Sequence, residues 1–126
     1  MNDSPLLLRQ IHPSFIQNGH AHYTAFRPTK KDHKRLSVSD GNKISAEEAW
    51  KRYTETLGYN SCGVLGVTIS ECESKSLSVQ EDPRDDQPDH MVIDFSHFDS
   101  HGKIDKAAKA LCQFASNRGW LYFPNQ

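Results

Sequence analysis

The hydrophobic and polar positions along the chain follow two different periods, which predict short strands interrupted by two main helices. Strands are indicated where β-branched, aliphatic or aromatic residues run together or alternate with polar ones. The predicted strands are 6–11, 20–26, 35–39, 62–69, 77–80, 90–95 and 120–123. Segment 62–69 is almost entirely apolar, so we expect it to be a central strand buried on both faces, with Gly63 and Gly66 packed closely against a helix.

Two longer segments carry apolar residues at helical spacing. Ser45 and Glu48 have the spacing of a capping box, which predicts that the first helix begins after Ser45. Gly58 is typical of a helix C-terminus, so this helix is predicted to end before Gly58. The second helix is predicted over 103–117 and ends before Gly119. With seven candidate strands, this order predicts a single α+β domain over 1–126, with a mixed or antiparallel sheet of six to seven short strands.

Length and composition agree with one cytoplasmic domain. The chain has 126 residues, of which 36% are hydrophobic and 25% charged. No apolar run approaches the roughly 18 residues that cross a bilayer, and the N-terminal region lacks the pattern of a secretory signal. The three cysteines are not closely paired, as is typical of small buried residues in a reducing compartment. We therefore expect a cytoplasmic protein that does not enter a membrane.

Charge is distributed unevenly although the net charge is only −1. Residues 1–53 contain nine Lys or Arg against five acids, whereas residues 54–126 contain six against eleven. The positive charge is concentrated in 27–35, and the negative charge in 81–89. The candidate binding residues of the basic segment are Arg27, Lys30, Lys31, Lys34 and Arg35. Such a segment attracts phosphates or an acidic protein, but a solvated loop has the same composition.

Other motifs, and their absence, limit the protein classes and binding sites that the sequence favours. Neither G-x-G-x-x-G nor a P-loop occurs, which argues against kinases, NTPases and nicotinamide dehydrogenases. His97 and His101 have helical ligand spacing, but no second ligand pair accompanies them, so no metal site is predicted. With a pI near 6.6, nucleic-acid binding is possible but disfavoured. A cluster of basic groups on the first strands offers an anion site instead; it comprises Arg9, His12, His20, His22 and Arg27.

Four short runs resemble those of small bacterial proteins whose layout is similar to the ADP-ribosyltransferase-like fold. They are Leu8-Arg-Gln-Ile-His12, Leu36-Ser-Val38, Asp82-Pro83 and Pro88-Asp-His-Met-Val-Ile93. The resemblance implies a nicotinamide dinucleotide (NAD) cofactor held by Arg9 or His12 and supported by Ser37. It also implies that Glu71 is the catalytic acid.

Two functions therefore remain open. The first is a small binding or accessory module, without a cofactor, that docks on a partner protein or on itself through complementary charged surfaces. The second is a toxin-type ADP-ribosyltransferase that uses a nicotinamide dinucleotide.

Overall fold

A five-stranded antiparallel sheet organises the molecule. The structure is a computed structural model that describes residues 6–28 and 34–124. Its strands are β1 (Leu6–Ile11), β2 (Ile16–Gln17), β3 (His20–Ala21), β4 (Arg35–Asp40), β5 (Gly63–Thr68), β6 (Ser78–Glu81) and β7 (His90–Asp94). The large sheet has the order β5-β1-β4-β7-β6, and β2 pairs with β3 in a separate hairpin. Every pair in the large sheet is antiparallel, which confirms the predicted α+β class.

Three α-helices complete the described part of the chain: α1 (Ala46–Lys51), α2 (Ile69–Ser74) and α3 (His101–Arg118). A π-helical turn, Arg52–Thr56, extends α1. The predicted capping box of α1 is confirmed, because the Ser45 hydroxyl accepts a 3.1 Å bond from the Glu48 amide. The Glu48 carboxylate accepts a bond from the Ser45 amide in return.

The two faces of the sheet are covered differently. α3 packs its apolar face against one side, where alternate strand residues such as Leu36, Val38 and Ile93 are buried. On the other side, α1 covers the β1–β5 end, where Ala49 packs with Leu8. Polar side chains alternate with the core residues along β4 and point to this second face, which we call the open face.

The prediction that 62–69 is a central strand is wrong. β5 is at the edge of the sheet, paired with β1 along its length. β5 is buried because helices pack on its two faces and the C-terminal segment lies along its outer edge, with an isolated bridge between Tyr122 and Val64. A Cβ on Gly63 or Gly66 would lie 2.5–2.9 Å from atoms of residues 120–122. The glycines therefore admit the C-terminal segment rather than a helix.

Two other predicted elements need correction, and the structure has one additional helix. Only residues 20–21 of the predicted strand 20–26 form a strand, because the His22 ring accepts a bond from the Thr24 amide and starts a 3₁₀ turn, Tyr23–Phe26. Segment 120–123 contributes one bridge rather than a strand. Helix α2 was not predicted, although Thr68 and Glu71 form a second capping box.

Candidate functional site

Arg9 lies where the central strands stop pairing. The ladder between β1 and β4 contains only Leu7–Asp40 and Leu8–Ser39, although both strands continue. The Arg9 guanidinium occupies this gap: Nε donates to the carbonyl oxygen of Ala25 at 2.8 Å, and Nη1 donates to that of Ser37 at 3.0 Å. Arg9 consequently lines two clefts.

The first cleft, called the sheet-face cleft, has a volume of about 370 Å³ and lies on the open face. Ser37 and Ser39 of β4 contribute to its floor, since alternate residues of one strand share a face. One wall is the end of α1 with its π-helical turn, and the opposite wall is the loop 82–90.

A double hydrogen bond joins the two walls. Arg52 donates from Nη1 and Nη2 to the two Asp89 carboxylate oxygens, at 2.7 and 2.8 Å. The Asp89 side chain is only 4% exposed, and the bonds from Arg52 lower the pKa of its carboxyl. The backbone oxygen of Asp89 also accepts a bond from Asp40 of β4. This clamp holds the loop against the sheet and sets the width of the cleft.

Two tyrosines form the wall on the helix side. The Tyr53 and Tyr59 rings lie 5.1 Å apart between centroids, and the Tyr59 amide donates to the Tyr53 carbonyl. Tyr59 is 58% exposed, so part of its ring remains open to solvent.

Two basic side chains, His90 and Arg84, form part of the opposite wall. Buried His90 places Nδ1 3.0 Å from the Asp82 carbonyl and 3.1 Å from its carboxylate. Arg84 lies 3.3 Å from the same carboxylate, and its side chain is 55% exposed. The acidic segment 81–89 is therefore a folded loop in which Asp82 and Asp89 already contact basic groups.

The second cleft, called the basic cleft, also measures about 370 Å³. Its lining includes the apolar residues Phe15 and Ile104 and the basic residues Arg27 and Lys34. Arg27 forms a 3.1 Å ion pair with Asp105, while Lys34 Nζ donates to the Phe98 carbonyl. The cleft thus combines apolar contacts with a positively charged rim.

The other predicted binding residues do not all meet there. Arg35 is exposed at the start of β4, and its partner in the ladder is Asp94 of β7. Its position alternates with Leu36, which places it on the open face. Lys30 and Lys31 lie outside the described residues.

The residues implied by the transferase resemblance are divided between two regions. Arg9 contacts the Ser37 backbone, so these two are neighbours. His12 accepts a bond from the Ser14 amide and caps a 3₁₀ turn beyond Ile11. Glu71 follows Thr68, which pairs with Leu6 at the other end of β1. These strand ends are about 17 Å apart at roughly 3.4 Å per residue.

Glu71 has a well-defined structural environment. Arg118 donates to its two carboxylate oxygens at 3.1 and 2.9 Å, and the Thr68 amide donates to it at 2.9 Å. Partial burial opposes its ionisation, but the bonds from Arg118 and Thr68 outweigh this and lower the pKa of Glu71. These contacts join α2 to the C-terminal end of α3.

Within residues 6–28 and 34–124, no group of three or more His, Cys, Asp or Glu is placed to hold a metal ion. The same part of the chain contains no helix long and apolar enough to cross a membrane. His97, considered above as a ligand, stacks on Phe98 with ring centroids 4.3 Å apart.

The sheet-face cleft was not predicted from the sequence. Arg52 and Asp89 are 37 positions apart, and no local pattern connects them. Tyr53 lies at helical spacing from Ala49 and Trp50, so the sequence assigns it to the apolar side of the first helix, whereas in the structure it belongs to the π-helical turn on the cleft wall. No family model, curated protein or solved structure matches this chain.

Proposed function

We propose that the protein is a small binding module that docks on an acidic segment of a partner protein through the basic cleft. The observation that carries this proposal is the combination of Arg27 and Lys34 with the apolar residues Phe15 and Ile104 in one cleft. Protein interfaces commonly place apolar groups centrally and charged groups at the rim. The arrangement favours a peptide that carries carboxylates beside an apolar side chain.

Electrostatics supports an acidic partner. No carboxylate is among the described residues that line the basic cleft, although Asp105 pairs with Arg27 nearby. Lys34 Nζ donates to a neutral carbonyl, so that contact leaves its positive charge in place. Positive charges of this kind increase the association rate with an acidic protein surface and disfavour the binding of basic surfaces.

A different protein is favoured over a second copy of the chain as the partner. The acidic segment 81–89 is the natural counterpart for self-association, but Asp89 is buried against Arg52. Asp82 contacts both His90 and Arg84. These contacts reduce the negative charge that the loop offers to another copy.

The transferase hypothesis receives less support from the geometry, because His12 and Glu71 lie at opposite ends of β1. Nicotinamide release from the dinucleotide remains its direct test. Release that is lost in Arg9→Ala and Glu71→Ala would favour the transferase over the binding module.

The docking proposal is tested with a labelled peptide that alternates Glu with Leu, measured by fluorescence anisotropy at low and high salt. We expect binding that weakens with salt, because exposed charges are screened over roughly 8–10 Å. The triple substitution Lys30→Glu, Lys31→Glu and Lys34→Glu should abolish this binding, because it reverses three charges of the basic segment. The melting temperature of Lys34→Glu should stay nearly unchanged, since Lys34 is exposed and surface substitutions usually cost less than about 0.5 kcal/mol.

Two controls decide whether the basic cleft is responsible. Lys34→Glu should weaken binding, whereas Lys43→Glu makes the same charge change at an exposed position outside the cleft and should have little effect. A peptide with Gln in place of every Glu should bind far more weakly. The proposal would be overturned if the Glu and Gln peptides bound equally well. It would also be overturned if Lys34→Glu and Lys43→Glu lost the same amount of peptide affinity.

A further inference from the structure

We propose that the sheet-face cleft binds a small ligand that joins a planar, hydrogen-bonding ring to an anionic group, as a nucleoside monophosphate does. This site is separate from the basic cleft, although Arg9 borders both. Its volume of about 370 Å³ lies within the range of roughly 300–1,000 Å³ found for small-molecule sites.

The tyrosine wall provides a surface for the ring. Tyr59 is the large hydrophobic side chain most exposed among the described residues, and Tyr53 supports it at 5.1 Å. A planar ring stacked on Tyr59 would cover this exposed surface, and stacking of this kind tolerates different bases. The adjoining π-helical turn is a rare conformation that occurs often at functional sites.

The opposite wall provides the contact for the anion. Arg84 is more than half exposed and has only a 3.3 Å contact with Asp82, so its guanidinium is accessible from the cleft. A guanidinium presents two parallel N–H groups to a phosphate or carboxylate. The Arg52–Asp89 clamp keeps this wall at a constant distance from the tyrosines.

The floor provides a polar group that lacks a partner. Within the described part of the chain, two buried side-chain oxygens have no hydrogen-bond partner, Gln10 Oε1 and Asp105 Oδ1. Asp105 Oδ1 already lies 3.1 Å from Arg27 in an ion pair. Gln10 lines the sheet-face cleft, so a rotation of its side-chain amide towards the cleft would let the oxygen accept a hydrogen bond from a ring amine or imide. Buried acceptors are rarely left unpaired, so Gln10 favours a ligand that donates hydrogen bonds.

The experiment is isothermal titration of the full chain with adenosine monophosphate, adenosine and inorganic phosphate as separate probes. We expect the nucleotide to bind about tenfold more tightly than either part alone, because it reaches both walls. Guanosine, cytidine and uridine monophosphates extend the set of rings.

Variants separate the two ends of the ligand. Tyr59→Ala should weaken nucleotide and adenosine binding by about fivefold or more, while Tyr59→Phe should retain it. Arg84→Gln should weaken nucleotide and phosphate binding but leave adenosine binding unchanged. Lys34→Glu, in the basic cleft, should leave nucleotide binding intact, which keeps this test independent of the docking proposal.

Three outcomes would overturn the proposal. The first is no binding of any of the four nucleotides at millimolar concentration. The second is phosphate or adenosine binding as tightly as the nucleotide, which would indicate an anion site or a ring site only. The third is nucleotide binding that neither Tyr59→Ala nor Arg84→Gln changes while melting curves show both variants folded.

Discussion

The two faces of the sheet differ in character although the same strands form both. Along β4, Leu36 and Val38 are buried against the α3 side, while Ser37 is exposed on the open face. Along β7, Met91 and Ile93 belong to the core on the α3 side, whereas His90 and Val92, which are also buried, pair with Ser39 and Ser37 and face the other way. One face therefore forms a continuous apolar core, and the other combines apolar contacts with polar groups around a cleft.

The two faces make different contributions: the α3 side contributes most of the stability, and the open face carries the side chains that are available to a ligand. Burial of apolar area is the main favourable contribution to folding, and most of it lies on the α3 side. The open face has a smaller apolar cluster under α1, and beside it the directional contacts of the Arg52–Asp89 clamp hold the cleft. Side chains on the cleft walls are consequently free to serve a ligand at little cost to the fold.

The largest expected effect comes from truncating the same residue type on each face. Leu111→Ala, in the fully buried part of α3, should lower the free energy of unfolding by about 2–5 kcal/mol. Leu57→Ala, which lines the cleft and is partly exposed, should cost less than about 1.5 kcal/mol. Urea unfolding measures the loss of free energy of unfolding in each variant. Equal losses in Leu111→Ala and Leu57→Ala would contradict the contrast between the two faces.

A smaller effect is expected from the two double hydrogen bonds of Arg with a carboxylate. Asp89→Asn should lower the free energy of unfolding by about 1–3 kcal/mol, because it leaves the half-buried Arg52 without its charged partner. Glu71→Gln should cost less, since the Glu71–Arg118 pair is more exposed. Thermal melts of the two variants measure how much stability each one loses. A larger loss of stability in Glu71→Gln than in Asp89→Asn would show that the Arg52–Asp89 clamp is not the stronger contact.

The smallest expected effect is a change of stability with pH. The folded state lowers the pKa of Asp89, ordinarily 3.8, and of Glu71, ordinarily 4.5. Both carboxyls therefore contribute stability above their ordinary pKa values, and this contribution is lost as the pH falls through the lowered ones. The urea midpoint should fall from about pH 5 downward, and less steeply in Asp89→Asn. If the urea midpoint of Asp89→Asn fell with pH as steeply as that of the unchanged protein, the Arg52–Asp89 clamp would not contribute to the pH dependence of stability.

Some features could be predicted because the information is local. The capping box of α1 involves residues three positions apart, and the apolar stripe of α3 follows one helical period. The same local signal for α2, Thr68 followed by Glu71, was present but followed a strongly β-branched run. The strand pattern thus masked a short helix that begins at its end.

The position of β5 could not be derived in this way. An apolar strand sequence indicates that the strand is buried, and β5 is buried, but here the helices on its faces and the C-terminal segment at its outer edge bury a strand at the edge of the sheet. Periodicity does not distinguish the two arrangements. The segment that fills the space above Gly63 and Gly66 is distant in sequence.

The sequence by itself determined the α+β class, the approximate positions of most strands and the apolar faces of the helices, because these depend on residue type and spacing. Only the tertiary structure decided which charged groups meet. Arg9 between β1 and β4, Arg52 against Asp89 and Glu71 against Arg118 are all long-range contacts. Such contacts form once the strands take their order and register, so the two clefts follow from the packing of the whole chain.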